Sequence, residues 1–270
     1  MARTPARVPE SITSPANPLL KQIRQAVARG ALTSHGWCVA ETFHLLEEAL
    51  RSDCEVKVVV AAESALPTAQ DHVRSQSGVR LAVVPDRLMG ALSATQSSQG
   101  VIALVKPPEW SLEQFFHGHP LLLVLDALQD PGNCGTIVRA AEAFAASGVI
   151  FLKGTASPYN PKTLRASAGS LFRVPFLQAM EAAQARVALE QHDIEIYAGV
   201  SGGAGARPLP ETDLTGRCAL IIGNEAHGVG GELCAAARQI SIPTVGVESL
   251  NAAVAASIML YEAQRQRSGW

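Results

Sequence analysis

The stretch Leu121–Ala145, LLLVLDALQDPGNCGTIVRAAEAFA, joins an apolar run to a polar loop and then to a mixed apolar and polar run. Five consecutive apolar residues bounded by turn residues are typical of a strand buried on both faces, as in parallel sheets. Asp, Pro, Gly and Asn then end the strand and precede a helix. Asn133 stands where the helix N-cap is expected, and Arg139 lies in the first two turns. The stretch therefore predicts a strand–loop–helix unit of a parallel α/β sheet.

The same alternation continues through residues 118–270. The predicted strands are LLLVLDAL, GVIFLKG, IEIYAGV, CALIIGN and QISIPT. The predicted helices are TIVRAAEAFAAS, PKTLRASAG, MEAAQARVALEQH, VGGELCAAARQ and LNAAVAASIMLYEAQRQR. This pattern predicts an open, mostly parallel sheet with helices on both faces. Ligands of such sheets bind beyond the carboxyl ends of the strands, so the loops after the apolar runs are the candidate site.

Residues 1–106 predict a smaller α/β domain of their own. LLKQIRQAVARG is periodic in the manner of a helix that Gly30 ends, and Thr42 to Leu50 predicts a second helix. VKVVVAA, VRLAVVP and GVIALV predict strands. The two prolines of KPPEW end this region. The chain is accordingly divided into a domain 1–106, a linker 107–117 and a domain 118–270.

Composition narrows the class of protein. Of 270 residues, 47 % are apolar and 17 % charged, which suits a soluble globular protein. No stretch predicts a membrane span, and the polar N-terminus lacks the apolar segment of a secretion signal, so a cytoplasmic protein is expected. The five cysteines form no CxxC pair and predict reduced thiols rather than a metal site.

The net charge of −2 does not indicate a nucleic-acid binder, but its distribution is uneven. Residues 1–30 contain five basic side chains and one acidic side chain, Glu10. Such a basic arm fits phosphate contacts as well as a solvated surface. Both interpretations stay open at this point.

Two further loops follow predicted strands. LIIGNEAHGV places Gly223 and Glu225 directly after a strand, and IPTVGVESLN places Ser249 as an N-cap with Asn251 in the first turn of an Ala-rich helix. Taken singly, each loop also has a purely structural explanation. Asn133 then caps a helix, and Arg139 pairs with Glu142 on the surface.

One glycine-rich loop suggests a dinucleotide site at first sight. IEIYAGVSGGAGARP contains no GxGxxG, and Arg207–Pro208 interrupts the helix that would hold a pyrophosphate. This disfavours a nicotinamide-dependent oxidoreductase. A cofactor without a pyrophosphate would not need such a loop.

Taken together, the three loops resemble a known family. NCGTIVRAAEAF, LIIGNEAHGV and IPTVGVESLNAAVAASIMLYE resemble, in order, the three motifs of the TrmH/SpoU branch of the SPOUT superfamily, which are RNA ribose 2′-O-methyltransferases. ITSPANPLLKQIRQ and the region after it resemble the family's N-terminal L30e-like RNA-binding domain. The resemblance implies an α/β SPOUT domain with a deep trefoil knot in residues 118–270. It also implies a homodimer with the site near its interface, and S-adenosylmethionine as cofactor without a metal.

The resemblance assigns roles to individual residues. It implies a catalytic set of Asn133, Arg139, Glu225, Ser249 and Asn251. It implies cofactor contacts from Ala198, Gly199, Val200, Gly223, Ile242, Leu250, Asn251 and Ala253. Lys21, Arg24 and Arg165 are the implied RNA contacts, with Lys162 and Arg173 as further candidates. Ala226–His227 and Thr244 depart from the usual motifs without removing a proposed catalytic group.

The implied reaction is methyl transfer to a ribose 2′-hydroxyl, with 23S rRNA as the expected substrate. The family assigns proton removal to Arg139, yet an arginine is almost never deprotonated in proteins. Arg139 could instead hold a phosphate and stabilise the developing alkoxide. Transfer RNA as substrate and a catalytically silent RNA-binding module are the alternatives.

Overall fold

The structure, a computed structural model, describes residues 9–93, 95, 98–202 and 205–268. Arg3 and Arg7 of the basic segment and Gly203 of the glycine-rich loop lie outside these residues. The chain forms two compact units. One contains the residues up to Pro108 together with Tyr159–Phe172, and the other contains Glu109–Pro158 and the chain from Arg173 onward. Residues 159–172, which the sequence placed in the C-terminal domain, thus group with the first unit.

The first unit is built on a five-stranded mixed sheet. Its strands are β1 (Glu10–Ser11), β2 (Cys38–Glu41), β3 (Glu55–Ala62), β4 (Arg80–Val84) and β5 (Val101–Lys106), and its helices are α1 (Pro18–Arg29), α2 (Phe43–Arg51), α3 (Leu66–Val73) and α4 (Asp86–Gly90). The spatial order is β1-β4-β3-β5-β2, with β5 antiparallel to both of its neighbours. The predicted strands β3, β4 and β5 are confirmed, whereas β1 and β2 were not predicted.

Helix α1 shows why the N-terminal pattern folds locally. Asn17 Oδ1 accepts a hydrogen bond from the Leu19 N–H at 2.9 Å, and Pro18 occupies the first turn, where its missing N–H costs nothing. Leu20 and Ile23 are fully buried in the core of this unit. Gly30 ends the helix in the left-handed conformation with φ 58°, as its position in the sequence predicted.

The second unit is built on a seven-stranded sheet that is parallel throughout. Its strands are β6 (Leu121–Leu125), β7 (Gly148–Leu152), β8 (Phe176–Met180), β9 (Glu195–Val200), β10 (Arg207–Pro208), β11 (Cys218–Ile222) and β12 (Arg238–Ser241). They lie in the order β10-β12-β9-β11-β6-β7-β8. The parallel sheet predicted from the apolar runs is confirmed.

The remaining helices are α5 (Pro131–Ala143), α6 (Pro161–Ala166), α7 (Ala182–Gln191), α8 (Gly231–Ala236) and α9 (Ala252–Ser268). Short 3₁₀ turns cover Glu63–Ala65, Leu112–Phe116, Ser170–Phe172 and Leu209–Glu211. Helix α6 belongs to the first unit. In the second unit α7 and α8 pack on one face of the sheet, and α5 and α9 pack together on the other.

Helix α8 and strand β8 depart from what the sequence predicted. Helix α8 has only six residues, because Ala237 turns extended and the chain enters β12 at Arg238. Strand β8 was not predicted because only its first residue is buried, so it lacks the continuous apolar run of β6, β7 and β11. No helix among the described residues is long and apolar enough to cross a membrane.

Candidate functional site

Helix α5 begins at Pro131, two residues before Asn133. Asp130 is extended and its Oδ1 accepts a hydrogen bond from the Gly132 N–H at 2.5 Å, so Asp130 is the N-cap. The prediction that Asn133 caps the helix is therefore wrong. Because Asp130 satisfies the helix end, the carboxamide of Asn133 is available for tertiary contacts.

Asn133 links the three predicted loops. Its Nδ2 donates to Glu225 Oε1 at 2.7 Å, and its Oδ1 accepts from Asn251 Nδ2 at 3.1 Å. A carboxamide has one donor group and one acceptor, and both are used here. Glu225 and Asn251, which lie 92 and 118 positions after Asn133 in the sequence, thus meet at this one side chain. The structure brings these three of the five predicted catalytic residues together.

The Glu225 loop is a tight turn held by Asn224. Asn224 Nδ2 donates to the Ala127 carbonyl at 2.9 Å, and its Oδ1 accepts from the backbone N–H groups of Ala226 at 2.8 Å and His227 at 3.3 Å. A Cβ at Gly223 would lie 2.2 Å from the Gly228 carbonyl carbon, so only glycine fits there. Asn224 was not among the predicted site residues, although it adjoins Glu225 in the motif.

Asn251 has a second role at the start of α9. Its Oδ1 accepts hydrogen bonds from the N–H groups of Ala253 at 2.9 Å and Val254 at 3.3 Å. The cap predicted at Ser249 is therefore at Asn251. This double use fixes the carboxamide, since the cap holds the oxygen while Nδ2 points to Asn133.

A cavity of about 510 Å³ lies beyond the carboxyl ends of β9, β11 and β12. Its volume is in the range of small-molecule sites. Five residues of the predicted cofactor set line it: Gly199, Val200, Gly223, Ile242 and Leu250. Glu225 and Ser249 of the predicted catalytic set also line it.

Three members of the predicted cofactor set do not line the cavity. Ala198 is fully buried within β9, and Asn251 and Ala253 are outside the lining. Lining residues that the sequence analysis missed include His227, Gln239, Glu248 and Met259. Met259 closes the floor beneath β9, because a Cβ at Gly199 would come within 3.1 Å of its sulfur. Its position, two turns inside an Ala-rich helix, carried no signal of this contact.

Arg139 is not gathered with the other four catalytic candidates. It is exposed on α5, is absent from the cavity lining, and forms no hydrogen bond or ion pair with the part of the chain that the structure describes. The surface pair with Glu142 that the sequence also allowed is not formed. Arg173 takes that carboxylate instead, with Nε 2.5 Å from Glu142 Oε1. A guanidinium without a partner among the described residues is available to a ligand.

Beside Asn133, the thiol of Cys134 is fully buried. Burial, and to a lesser extent the charges of Glu225 and Asp130, raise the pKa of Cys134 to about 12. The thiol therefore stays neutral at physiological pH. The site uses Cys134 as packing, as the sequence predicted for its cysteines.

The predicted RNA contacts differ in availability. Lys21 is exposed, and Arg24 donates to the Pro15 carbonyl at 2.6 Å. Arg165 forms an ion pair at 3.3 Å with Glu41, which is only 3 % exposed. Arg165 and Arg173 thus have carboxylate partners, while Lys21 keeps its charge free for a ligand. Across the described ranges, no group of three or more His, Cys, Asp or Glu side chains could hold a metal ion.

Comparison with known proteins agrees with this geometry. Residues 120–261 match the model of the SpoU rRNA Methylase family, and residues 17–103 match the MRM3-like substrate binding domain. The chain is 31 % identical over 256 residues to the 23S rRNA (guanosine(2553)-2′-O)-methyltransferase RlmP of Bacillus subtilis, covering 93 % of this chain and 98 % of that protein.

Solved structures extend the likeness to both units. The SpoU methyltransferase AviRb from Streptomyces viridochromogenes in complex with AdoMet matches with a TM-score of 0.83 and 25 % identity, over 93 % of this chain and 98 % of that one. A structure on the 2-OH methylation of C/U34 on tRNA matches with a TM-score of 0.52 and 29 % identity, over 56 % of this chain and 99 % of its own. On the strength of the family model and of the full-length relative, this chain belongs to the SpoU rRNA methylase family.

Proposed function

We propose that this protein transfers the methyl group of S-adenosylmethionine to a ribose 2′-hydroxyl of 23S rRNA. The observation that carries the proposal is the hydrogen-bonded series Asn251–Asn133–Glu225 beside a cofactor-sized cavity. Three loops distant in sequence supply one residue each. A helix cap alone would not require Asn133 to contact both other loops.

The cavity fits the cofactor by size and by chemistry. It is lined by backbone at Gly199 and Gly223 and by apolar side chains of Ile242, Leu250 and Met259. Glu225 and Glu248 add two carboxylates, and no Lys or Arg lines the cavity. Such a lining suits a ligand with an adenine ring, a positively charged sulfonium and an amino group. When bound, the cofactor supplies an activated methyl group.

The protein's own residues then orient the acceptor. Asn133 and Asn251 hold Glu225 in place at the cavity, so these two are positioning residues. Glu225 and the hydroxyl of Ser249 face the space in which a ribose would lie. Fixing the geometry of two reactants is a large part of catalysis when the leaving group is already activated.

Arg139 supplies a permanent positive charge. Its guanidinium stays protonated, so it stabilises the 2′-oxygen while the hydroxyl proton leaves to solvent water, and it binds the adjacent phosphate. Its lack of partners in the described chain fits this use, since nothing else neutralises it. The alternative, that Arg139 takes the proton itself, would need a deprotonated guanidinium, which proteins almost never contain.

A homodimer is part of the proposal. Of the large apolar side chains that are exposed among the described residues, four of five lie between residues 245 and 261: Val245, Val247, Val254 and Tyr261. They follow the cavity loop and run along α9, beside α5, which carries Arg139. Exposed apolar side chains concentrated in one segment of the chain favour an interface there. Sedimentation of the purified protein should give twice the monomer mass.

Ribosomal RNA is favoured over transfer RNA by the extent of the chain. The tRNA-related structure corresponds to 56 % of this chain but to nearly all of its own. RlmP, a 23S rRNA enzyme by name, corresponds to nearly all of both. A cytoplasmic location follows from this substrate. The deep trefoil knot in residues 118–270 stays a prediction from the resemblance.

The test is methyl transfer from labelled S-adenosylmethionine to separate, unmodified rRNA and tRNA pools. We expect label in 23S rRNA at one 2′-hydroxyl, mapped by resistance of that linkage to alkaline cleavage. Label in tRNA alone would show that the substrate is tRNA and not 23S rRNA. Calorimetry that detects no cofactor binding, together with no transfer to either pool, would favour the silent RNA-binding module.

A further inference from the structure

Basic side chains of the first unit are paired over most of its surface but not on α1. Carboxylates hold Arg51, Lys57, Arg74, Arg80, Lys106 and Arg165. Helix α1 carries Lys21, Arg24 and Arg29 and contains no acidic residue. Within the described residues none of these three forms an ion pair, and Arg24 bonds only the Pro15 carbonyl. Three cations without an ion pair among the described residues thus lie on one helix.

An aromatic pair adjoins this helix. The rings of His35 and Trp37 lie 5.0 Å apart at an angle of 34°, with His35 exposed and Trp37 partly buried against the core. Gln22 of α1 lies beside the pair, with its Nε2 3.4 Å from His35 Nε2. On α1, Lys21 directly precedes Gln22, and Arg29, seven residues further on, lies on the same face of the helix as Gln22.

The loop that carries the rings is rigidly built. The Thr33 N–H donates to the Trp37 carbonyl at 2.8 Å, and the Gly36 N–H donates to the Thr33 carbonyl at 2.9 Å. The Trp37 N–H in turn reaches Thr33 Oγ1 at 3.2 Å, and Gly36 has φ 75°. This tight turn holds both rings in place. A planar ligand that stacks on them would therefore cost the protein little conformational entropy. The stability of this turn does not require the contact between the exposed His35 ring and Trp37.

We propose that His35 and Trp37, with Lys21 and Arg29, bind one unpaired nucleotide of the RNA. The base stacks on the exposed face of the ring pair, and the cations of α1 bind the phosphates on either side. Base–aromatic stacking together with phosphate contacts is how proteins hold single-stranded RNA. This site deepens the proposed function, and the identity of its ligand as RNA rests on that function. Arg165 is not part of the site, because Glu41 already pairs with that side chain.

The experiment measures binding of the full-length protein to a labelled single-stranded RNA of about 12 nucleotides and to the matching duplex, over a salt series. His35→Ala should raise the Kd for the single strand about fivefold or more and leave the salt dependence unchanged, since it removes a stacking surface and leaves the cations of α1 in place. His35→Phe should restore the affinity. Lys21→Ala and Arg29→Ala should each lower the slope of log K against log salt by about 0.7.

Two matched variants serve as controls. His72 also lies 5.0 Å from an aromatic ring, that of Phe43, but is paired with Glu47, so His72→Ala should bind as the wild type does. Arg87→Ala removes an exposed cation outside α1 and should leave the affinity within about twofold. Thermal denaturation of each variant checks that it is folded.

Wild-type affinity in His35→Ala, or an equal loss on the duplex, would overturn the site and leave this face to a protein partner. Methyl transfer separates this failure from that of the proposed function. If the wild type methylates 23S rRNA and His35→Ala does so with unchanged KM, the stacking site is wrong. If the wild type transfers no methyl yet His35→Ala weakens RNA binding, the site stands and the enzymatic proposal fails.

Discussion

At the amino-terminal end of the seven-stranded sheet, Arg267 donates hydrogen bonds to the carbonyls of Leu214, His119, Pro120 and Gly216. Arg217 beside it donates to the carbonyls of Gly118, Phe116 and His192. On α5, which leaves the opposite end of the sheet, Arg139 donates to none of the described residues. Arginine donors are thus bonded to backbone carbonyls at one end of the sheet, whereas those of Arg139 at the other end are bonded to none of the described residues.

The polar groups at the two ends of the sheet differ in the same way. The loops at the amino ends are tied together by hydrogen bonds from the two guanidinium groups. The loops at the carboxyl ends meet through Asn133, Glu225 and Asn251 around an open cavity. Saturated polar contacts stabilise a fold, whereas polar groups left facing open space are available for chemistry.

The largest effect expected from this comparison is that of Arg139→Ala. Because the side chain bonds to none of the described residues, the variant should keep the wild-type melting temperature while single-turnover methyl transfer falls about 10³-fold. Arg139→Lys keeps the charge but not the two-pronged donor, so it should retain part of the rate. Near-normal transfer by Arg139→Ala, at normal cofactor affinity, would remove this arginine from the mechanism.

Arg267→Ala should give the opposite outcome. Loss of its hydrogen bonds to the loops before β6 and β11 should lower the free energy of unfolding by about 2–3 kcal/mol, since hydrogen bonds from a charged group are the stronger ones. Methyl transfer per folded molecule should be unchanged. Chemical denaturation measures the first quantity and single-turnover kinetics the second.

Two residues earlier, Arg265 provides the matched control. It is exposed and pairs only with Glu262 on its own helix at 2.7 Å. A surface pair of this kind contributes little, so Arg265→Ala should melt close to the wild type. If Arg267→Ala and Arg265→Ala were equally stable, the carbonyl contacts of Arg267 would not contribute to the free energy of unfolding.

Asn133→Asp tests the carboxyl-terminal end with a smaller change. A carboxylate in place of the amide nitrogen would face Glu225 as a like charge, so Glu225 would move and transfer should fall about 10- to 100-fold. The helix itself is capped by Asp130, and the fold should persist. Asp130→Asn is the control, because Asn caps as well as Asp does and touches no substrate. Equal rates in the two variants would mean that the Asn133 contact is only structural.

The cap residues also explain what the sequence could and could not predict. The apolar runs of β6, β7 and β11 are continuous, and their burial on both faces made the parallel sheet predictable. In contrast, Asp130 and Asn133 are both good caps, and only the backbone turn decides between them. The same ambiguity separates Ser249 from Asn251.

Tertiary partners were less predictable than the site residues. Asn133, Glu225 and Asn251 were found because the motifs occur in a known order, not because 92 and 118 intervening residues imply contact. The pairing of Arg165 with Glu41 was missed because the chain segment Tyr159–Phe172 leaves the second unit. No periodicity in PKTLRASAG indicates which sheet the segment will join.

Glu248→Gln is the smallest change and concerns the charge of the cavity rather than its shape. Glu248 lines the cavity with Glu225, and among the lining residues only His227 can carry positive charge. Removing one carboxylate at an exposed rim should weaken binding of the cationic cofactor by only a few fold, because water and salt screen the field. The uncharged-sulfur product, S-adenosylhomocysteine, should lose less affinity, so the ratio of the two dissociation constants is the quantity to measure by calorimetry. Glu211→Gln removes an exposed carboxylate that does not line the cavity and should leave that ratio unchanged. A ratio that also stays constant in Glu248→Gln would show that the cavity selects its ligand by contacts at Gly199, Gly223 and Leu250 and not by charge.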